Sequence, residues 1–198
     1  MKVAVFCGSA TGNDPVYQNA AEQLGQTLAR QGIGLVYGGG HVGLMGAVAD
    51  AALTYGGEVI GVMPQALVDR EIAHQGLTRL DVVPDMHVRK DRMSELADAF
   101  VALPGGAGTL EEIFEQWTWA QLGIHEKPCG FLNVNGYFDP LLSMVNKMVE
   151  QGFMRQDYSQ MLVVSDNIET LLQNFSEYSP PAQKWREKTT VRTVKIEV

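Results

Sequence analysis

Short β-branched runs alternate with longer helical stretches along most of this chain, and that alternation leaves few architectures open. Strand-like runs fall at 3–7, 33–37, 59–63, 80–83, 99–103, 129–134 and 161–164. Helical patterns occupy 15–30, 44–55, 86–97, 110–122, 140–151 and 168–175. Strands and helices taken in turn make a parallel sheet covered by helices. The expected fold class is therefore α/β, a Rossmann-like open parallel sheet with helices on both faces. Asp14 ahead of Pro15 agrees locally, as a helix cap followed by proline at the first helical position. Residues 64–84 are less regular, with a polar stretch from Asp69 to Gly76 before the fourth strand. No repeat or low-complexity linker divides the chain, so residues 1–178 read as one domain and 179–198 as a tail. That tail is basic and ends in a run at 191–198 that alternates like an edge strand.

Charge narrows the class of partner. The chain of 198 residues has 15 basic and 23 acidic side chains, a formal net charge of −8. Residues 182–198 hold five basic and two acidic groups, which leaves −11 on the first 181. A dedicated nucleic-acid binder carries a basic face, so that class is excluded. A nucleotide-sized anion held by a few local donors is not. Cys7 and Cys129 lie far apart in apolar strand-like segments, a pattern of buried thiols in a reducing compartment. The first apolar run breaks at Gly8, too early for a signal-peptide core, and none reaches the ~18 apolar residues of a membrane span. The expectation is a cytoplasmic chain with neither nucleic-acid nor membrane partners.

Two glycine-rich turns stand between strands and helices. The first runs Gly38-Gly39-Gly40-His41-Val42-Gly43-Leu44-Met45-Gly46, with Gly38, Gly40 and Gly43 in G-x-G-x-x-G spacing. Such a turn lets backbone N–H groups approach a phosphate at a helix N-terminus. A dinucleotide would also require a carboxylate at the end of the next strand. Glu58 sits instead at its start, and the end reads Met63-Pro64. A mononucleotide or phosphate turn and a purely structural turn remain. The second turn runs Pro104-Gly105-Gly106-Ala107-Gly108-Thr109-Leu110-Glu111-Glu112, with the helix expected to begin at Thr109. Glycines there can leave main-chain donors open to an anion, and the helix end adds partial positive charge. No Lys-Ser/Thr follows, so this is not a Walker A loop.

The carboxylates beside that turn admit two readings. Thr109 and Glu112 have the spacing of a capping box, with Thr109 as cap. Yet paired carboxylates at the mouth of an anion-binding turn would repel a phosphate unless they serve another end. One such end is a developing cation, as in the oxocarbenium-like sugar of a glycosidic cleavage. On the helix ahead of this turn, Met86, Arg89, Met93, Leu96 and Ala97 share one apolar face. An arginine there needs an anion, whether Asp81, Asp85 or Glu112 in an ion pair, or a bound nucleotide. His41, His74, His87 and His125 show no metal-ligand spacing, and no G-x-S-x-G elbow occurs, so neither metal nor serine chemistry is expected. Trp117 and Trp119, two apart on one helix, cannot both face the core.

Taken together these residues resemble the LONELY GUY family, cytokinin riboside 5′-monophosphate phosphoribohydrolases often mislabelled as lysine decarboxylases. The family signature P-G-G-x-G-T-x-x-E is unbroken from Pro104 to Glu112, and the Arg-Lys pair ahead of it appears as Arg89-Lys90. The G-G-G-x-x-G-L-M-G turn matches from Gly38 to Gly46, and the likeness extends through 119–125 and 132–137. The resemblance implies cofactor-free hydrolysis of the N-glycosidic bond of a nucleoside 5′-monophosphate, giving free base and ribose 5-phosphate, by a homodimer. By motif position, Arg89 and Glu112 would be the catalytic pair. Gly105, Gly106, Ala107, Gly108, Thr109, Leu110 and Glu111 would line the nucleotide, with Gly106 to Thr109 on its phosphate. Lys90, Glu71, Thr118, Gly39, Gly40 and Met45 would complete the substrate contacts. The rival is a non-catalytic nucleotide or cofactor carrier on the same scaffold, which would need neither Arg89 nor Glu112.

Overall fold

The computed structural model describes residues 1–70 and 73–181. Their strands are β1 (Lys2–Phe6), β2 (Gly34–Tyr37), β3 (Val59–Pro64), β4 (Arg79–Val83), β5 (Ala99–Ala102), β6 (Cys129–Leu132) and β7 (Leu162–Ser165). They form one sheet in the order β4-β3-β2-β1-β5-β6-β7, every pairing parallel. The helices are α1 (Pro15–Arg30), α2 (Gly43–Thr54), α3 (Gln65–Val68), α4 (Met86–Leu96), α5 (Ala107–Leu122), α6 (Asp139–Glu150), α7 (Gln156–Ser159) and α8 (Ile168–Ser176). Among the described residues no helix is long and apolar enough to cross a membrane.

The inner strands read as near-continuous apolar runs because helices bury both faces of the sheet. Side chains alternate across the strands. Val3, Val5, Leu35 and Val101 meet Leu24 and Leu28 of α1, Val48 of α2 and Leu171 of α8 in one core layer. Ala4, Phe6, Val36, Phe100 and Phe131 meet Met93 of α4 and Ile113 and Trp117 of α5 in the other. The Asp14 side chain accepts a hydrogen bond from the Val16 N–H at 3.0 Å, and Pro15 opens α1 as expected. Trp117 is buried and donates through Nε1 to the Tyr158 carbonyl at 3.1 Å, while Trp119 is half-buried, so the two do face differently.

Element ends are where the sequence misleads. Helix α5 begins at Ala107, with Gly106 as its cap, two residues before the expected start. Thr109 is then the third helical residue, buried against Gly105, and makes no capping bond. The capping-box reading of Thr109 and Glu112 is therefore corrected: the Pro-Gly-Gly turn is tight enough for the helix to start directly after it. Strand β6 stops at Leu132, and the chain turns through a short 3₁₀ segment, Val134–Gly136, in which Asn135 has φ 52. The one-turn helices α3 and α7 carry too few residues for a periodic signal. The run at 191–198 lies outside the described residues.

Topology places the site. The chain moves outward from β1 to β4, and α4 then carries it back to β5 on the other flank of β1. The connections leaving β1 and β5 therefore diverge, and an open α/β sheet binds ligands in the crevice at such a switch point.

Candidate active site

At that switch point a cavity of about 340 Å³ is lined by Gly8, Ser9, Thr11, Tyr17, Gly105 and Tyr137, among others. The Gly8 N–H donates to the Pro104 carbonyl at 3.1 Å, stitching the turn after β1 to the turn after β5. The Leu44 N–H donates to the Gly8 carbonyl at 3.0 Å, which brings the start of α2 to the same rim.

The glycines of the signature divide by what surrounds them. A Cβ on Gly105 would lie 2.1 Å from Thr109 Oγ1 and 2.8 Å from Gly8 N, so packing alone demands glycine there. A Cβ on Gly106 or Gly108 would meet no protein atom within 4 Å, and Gly106 has an ordinary φ of −89. The fold itself gives no reason for those two glycines. Gly106, the cap of α5, and Ala107 and Gly108 in the first turn of that 16-residue helix are exposed, where main-chain donors and partial positive charge coincide.

Behind this turn, α4 and α5 are joined by three cation–carboxylate contacts. Arg89 Nη1 donates to Glu112 Oε1 at 2.6 Å, and Arg89 Nε donates to the Val62 carbonyl of β3 at 3.0 Å. The guanidinium reaches this place because residue 38 lacks a side chain: a Cβ there would lie 2.4 Å from Arg89 Nη2 and 3.2 Å from Met45 Sδ. Both partners are nearly enclosed, with side chains 9% and 12% exposed. Burial pushes the Glu112 carboxyl above the usual carboxylate range, and the Arg89 charge and hydrogen bond only partly oppose it. One helical position on, Lys90 Nζ donates to Glu111 Oε1 at 2.5 Å and to Glu115 Oε1 at 3.0 Å. Burial disfavours the Lys90 charge, but hydrogen bonds to those carboxylates outweigh it and hold the ammonium above the ordinary lysine range.

The other candidate partners of Arg89 are occupied elsewhere. Asp81 pairs with Arg79 and Arg92, and Asp85 caps α4 through the His87 and Val88 N–H groups. Met86 departs from the expected apolar face: at the first turn of α4 it is 44% exposed, beyond the reach of the core. Burial, reinforced by the Glu112 charge, pushes the Cys7 thiol far up, so it stays neutral beside the pair.

Most residues named from sequence converge here. Gly105, Gly106, Ala107, Gly108, Thr109, Leu110, Glu111 and Glu112 form the turn and the first helical turns of α5, facing Arg89 and Lys90 of α4. Gly39 accepts from the His74 N–H at 2.8 Å, and Gly40 bridges Ala73, so the Gly38–Gly40 turn carries the segment that follows Glu71. Glu71 itself lies outside the described residues. Thr118 is not brought to the pair: it is exposed, six residues past Glu112 and so about 9 Å further along the helix. The Gly8–Thr11 turn and Tyr137 were not anticipated. The signal for the former was a glycine directly after the first strand of an α/β alternation.

Comparison with known proteins identifies the family. The family model described as "Possible lysine decarboxylase" matches residues 45–175. A probable cytokinin riboside 5′-monophosphate phosphoribohydrolase of Oryza sativa subsp. japonica is 50% identical over 183 residues, 92% of this chain and 75% of that protein. A cytokinin riboside 5′-monophosphate phosphoribohydrolase of Arabidopsis thaliana is 49% identical over 179 residues, 90% of this chain and 82% of that protein. Among solved structures, the molybdenum cofactor binding protein of Rippkaea orientalis superposes with a TM-score of 0.68 at 21% identity, covering 89% of this chain and 95% of that one. The molybdenum cofactor carrier protein of Chlamydomonas reinhardtii gives 0.67 at 17% identity, with 89% and 96% covered. The two structures share the fold alone. On sequence, the chain belongs to the LONELY GUY family, the cytokinin riboside 5′-monophosphate phosphoribohydrolases.

Proposed function

We propose that this protein hydrolyses the N-glycosidic bond of purine nucleoside 5′-monophosphates, AMP or its cytokinin-type N6-modified forms, to free base and ribose 5-phosphate. The observation that carries the reading is the buried Arg89–Glu112 pair beside a glycine turn at the sheet's switch point. Water is the second substrate: its hydroxyl goes to the sugar C1′, its proton to the departing base. The turn at Gly106 to Thr109 holds the 5′-phosphate and so fixes the sugar. As the C1′–N bond lengthens, positive charge grows on the ribose. Glu112, ionised, stabilises that charge and orients or deprotonates the attacking water. A guanidinium is a poor general acid, so Arg89 acts by charge and orientation. Lys90, held between Glu111 and Glu115, keeps α5 in register with α4 at the edge of the nucleotide site.

Decarboxylation of lysine fits poorly. A Schiff-base lysine reacts as the neutral amine; Lys90 is held as an ammonium, and Lys127, whose charge burial disfavours, donates to the Ser94 carbonyl at the sheet edge opposite the glycine turns. A carrier of the kind named for the structural neighbours would need no enclosed Arg89–Glu112 pair. Exposed Leu122, Ile124 and Phe153 near the end of α5 and after α6 support a homodimer, and buried Cys7 and Cys129 a cytoplasmic setting. Glu71 and Thr118 are assigned as substrate contacts by family resemblance alone.

Incubation with AMP and with N6-isopentenyl-AMP, followed by chromatography for free base, tests the activity. Base release from at least one is expected, and measurable nucleotide binding without release from either would favour a carrier. The phosphate turn has its own test in Gly106→Ala. Because no protein atom crowds that position, thermal stability should stay within about 2 °C, while KM for AMP rises about tenfold or more. An unchanged KM would remove the turn from the phosphate site.

A further inference from the structure

We infer that Tyr137 is a positioning residue for the phosphate turn, setting the direction of its first main-chain donor. This rests on the proposed phosphate role of residues 106–109. The Tyr137 hydroxyl donates to the Gly105 carbonyl at 2.6 Å, across 32 residues of chain. The Gly105–Gly106 peptide is planar and trans, so fixing its carbonyl fixes the opposed Gly106 N–H. Gly106 is the cap of α5 and lines the same cavity as Tyr137 and Gly105.

The chain invests backbone strain in placing this hydroxyl. After β6, Asn135 takes φ 52 and Gly136 φ 70, two successive left-handed residues, of which Asn135 is the sole non-glycine at positive φ among those described. Such conformations persist where surrounding contacts hold them, and they concentrate at functional sites. Here Asn133 Nδ2 donates to Asp139 Oδ1 at 2.7 Å, and the Phe138 N–H donates to Asn133 Oδ1 at 2.8 Å, clamping both ends of the turn. Phe138 is buried against Phe131, ring centroids 4.6 Å apart, which anchors the backbone one residue from Tyr137. Tyr137 itself is 41% exposed, and its ring meets Tyr17 edge to face at 5.7 Å on the opposite wall. Many tyrosines are only half-buried, so exposure alone assigns no role. This one has its anchor in the core and its hydroxyl on the turn at Pro104–Glu112.

The test compares wild type with Tyr137→Phe, using AMP as substrate and inorganic phosphate as competitor. Loss of one hydrogen bond should raise KM for AMP and Ki for phosphate together, by about fivefold each, while kcat stays within about twofold. Direct titration with AMP should show the same loss of affinity. Tyr137→Leu, which also removes the contact with Tyr17, should add instability without a larger phosphate defect. An unchanged Ki for phosphate, or a fall in kcat with KM preserved, would overturn the inference. Should wild type bind AMP in competition with phosphate yet release no base, the hydrolase reading fails, and Tyr137→Phe is still judged on the two affinities.

Discussion

Glu112→Gln should lower the rate of base release by about 100- to 1,000-fold, equivalent to about 3–4 kcal/mol of barrier. The amide keeps an acceptor for Arg89 Nη1 but cannot carry the negative charge that meets the developing sugar cation. AMP affinity should be nearly unchanged, because ground-state binding rests on the phosphate turn. The pH profile separates this from a folding defect. Glu112 must be ionised to act, and burial holds its carboxyl above the ordinary value of 4.5. The wild-type rate should therefore fall on the acid side through an apparent pKa above 4.5, and Glu112→Gln should lack that limb. Stability moves the other way. A carboxyl whose pKa is raised by folding costs stability when ionised, and that cost vanishes as pH falls below the unfolded value. The Gln variant should accordingly be no less stable than wild type near neutrality. Normal activity in this variant would leave Glu112 as a partner for Arg89 and nothing more.

Arg89→Ala should be inactive and unstable together. The substitution leaves Glu112 enclosed without a countercharge and deprives the Val62 carbonyl of its donor. Breaking a buried pair from one side costs about 3–5 kcal/mol. The Glu112 carboxyl, already raised by burial, should rise further and take up a proton nearer neutrality, which removes the charge the reaction needs. Activity should then fall at least as far as in Glu112→Gln. The stability loss should shrink between pH 8 and pH 5, because protonating Glu112 relieves the unpaired charge. Denaturant unfolding at the two pH values measures this, and an equal loss at both would place the pair outside any shared electrostatics. Arg89→Lys should be intermediate in stability, since a single-point ammonium lacks the planar fork whose separate Nε and Nη1 reach Val62 and Glu112.

The sheet was legible because buried parallel strands write themselves as apolar runs, and seven such runs appear in the pairing order's own elements. The turn at Pro104–Glu112 is legible for a different reason. Glycine is informative where a side chain has no room, as at Gly38 and Gly105, and equally where the fold leaves room and glycine is kept anyway, as at Gly106. The start of α5 is not legible, because Thr109-x-x-Glu112 is a genuine capping pattern and spacing does not reveal that Thr109 faces inward against Gly105. The partner of Arg89 was undecided for a related reason. Asp81, Asp85 and Glu112 all offer carboxylates, and only the fold shows the first two held by Arg79, Arg92 and the α4 cap. Tyr137 lies within the 132–137 likeness, but its bond to Gly105 depends on Asn135 at φ 52, and spacing does not announce where that turn aims the next side chain.

The most direct test of the whole account is a product balance. Purified protein is incubated with AMP or N6-isopentenyl-AMP, and nucleotide, free base, ribose 5-phosphate and inorganic phosphate are quantified from one reaction. The expected result is base and ribose 5-phosphate in equal amounts, matching the nucleotide consumed, with no inorganic phosphate. Nucleotide bound by the protein but recovered intact would contradict hydrolysis and return the crevice to a carrier's binding site.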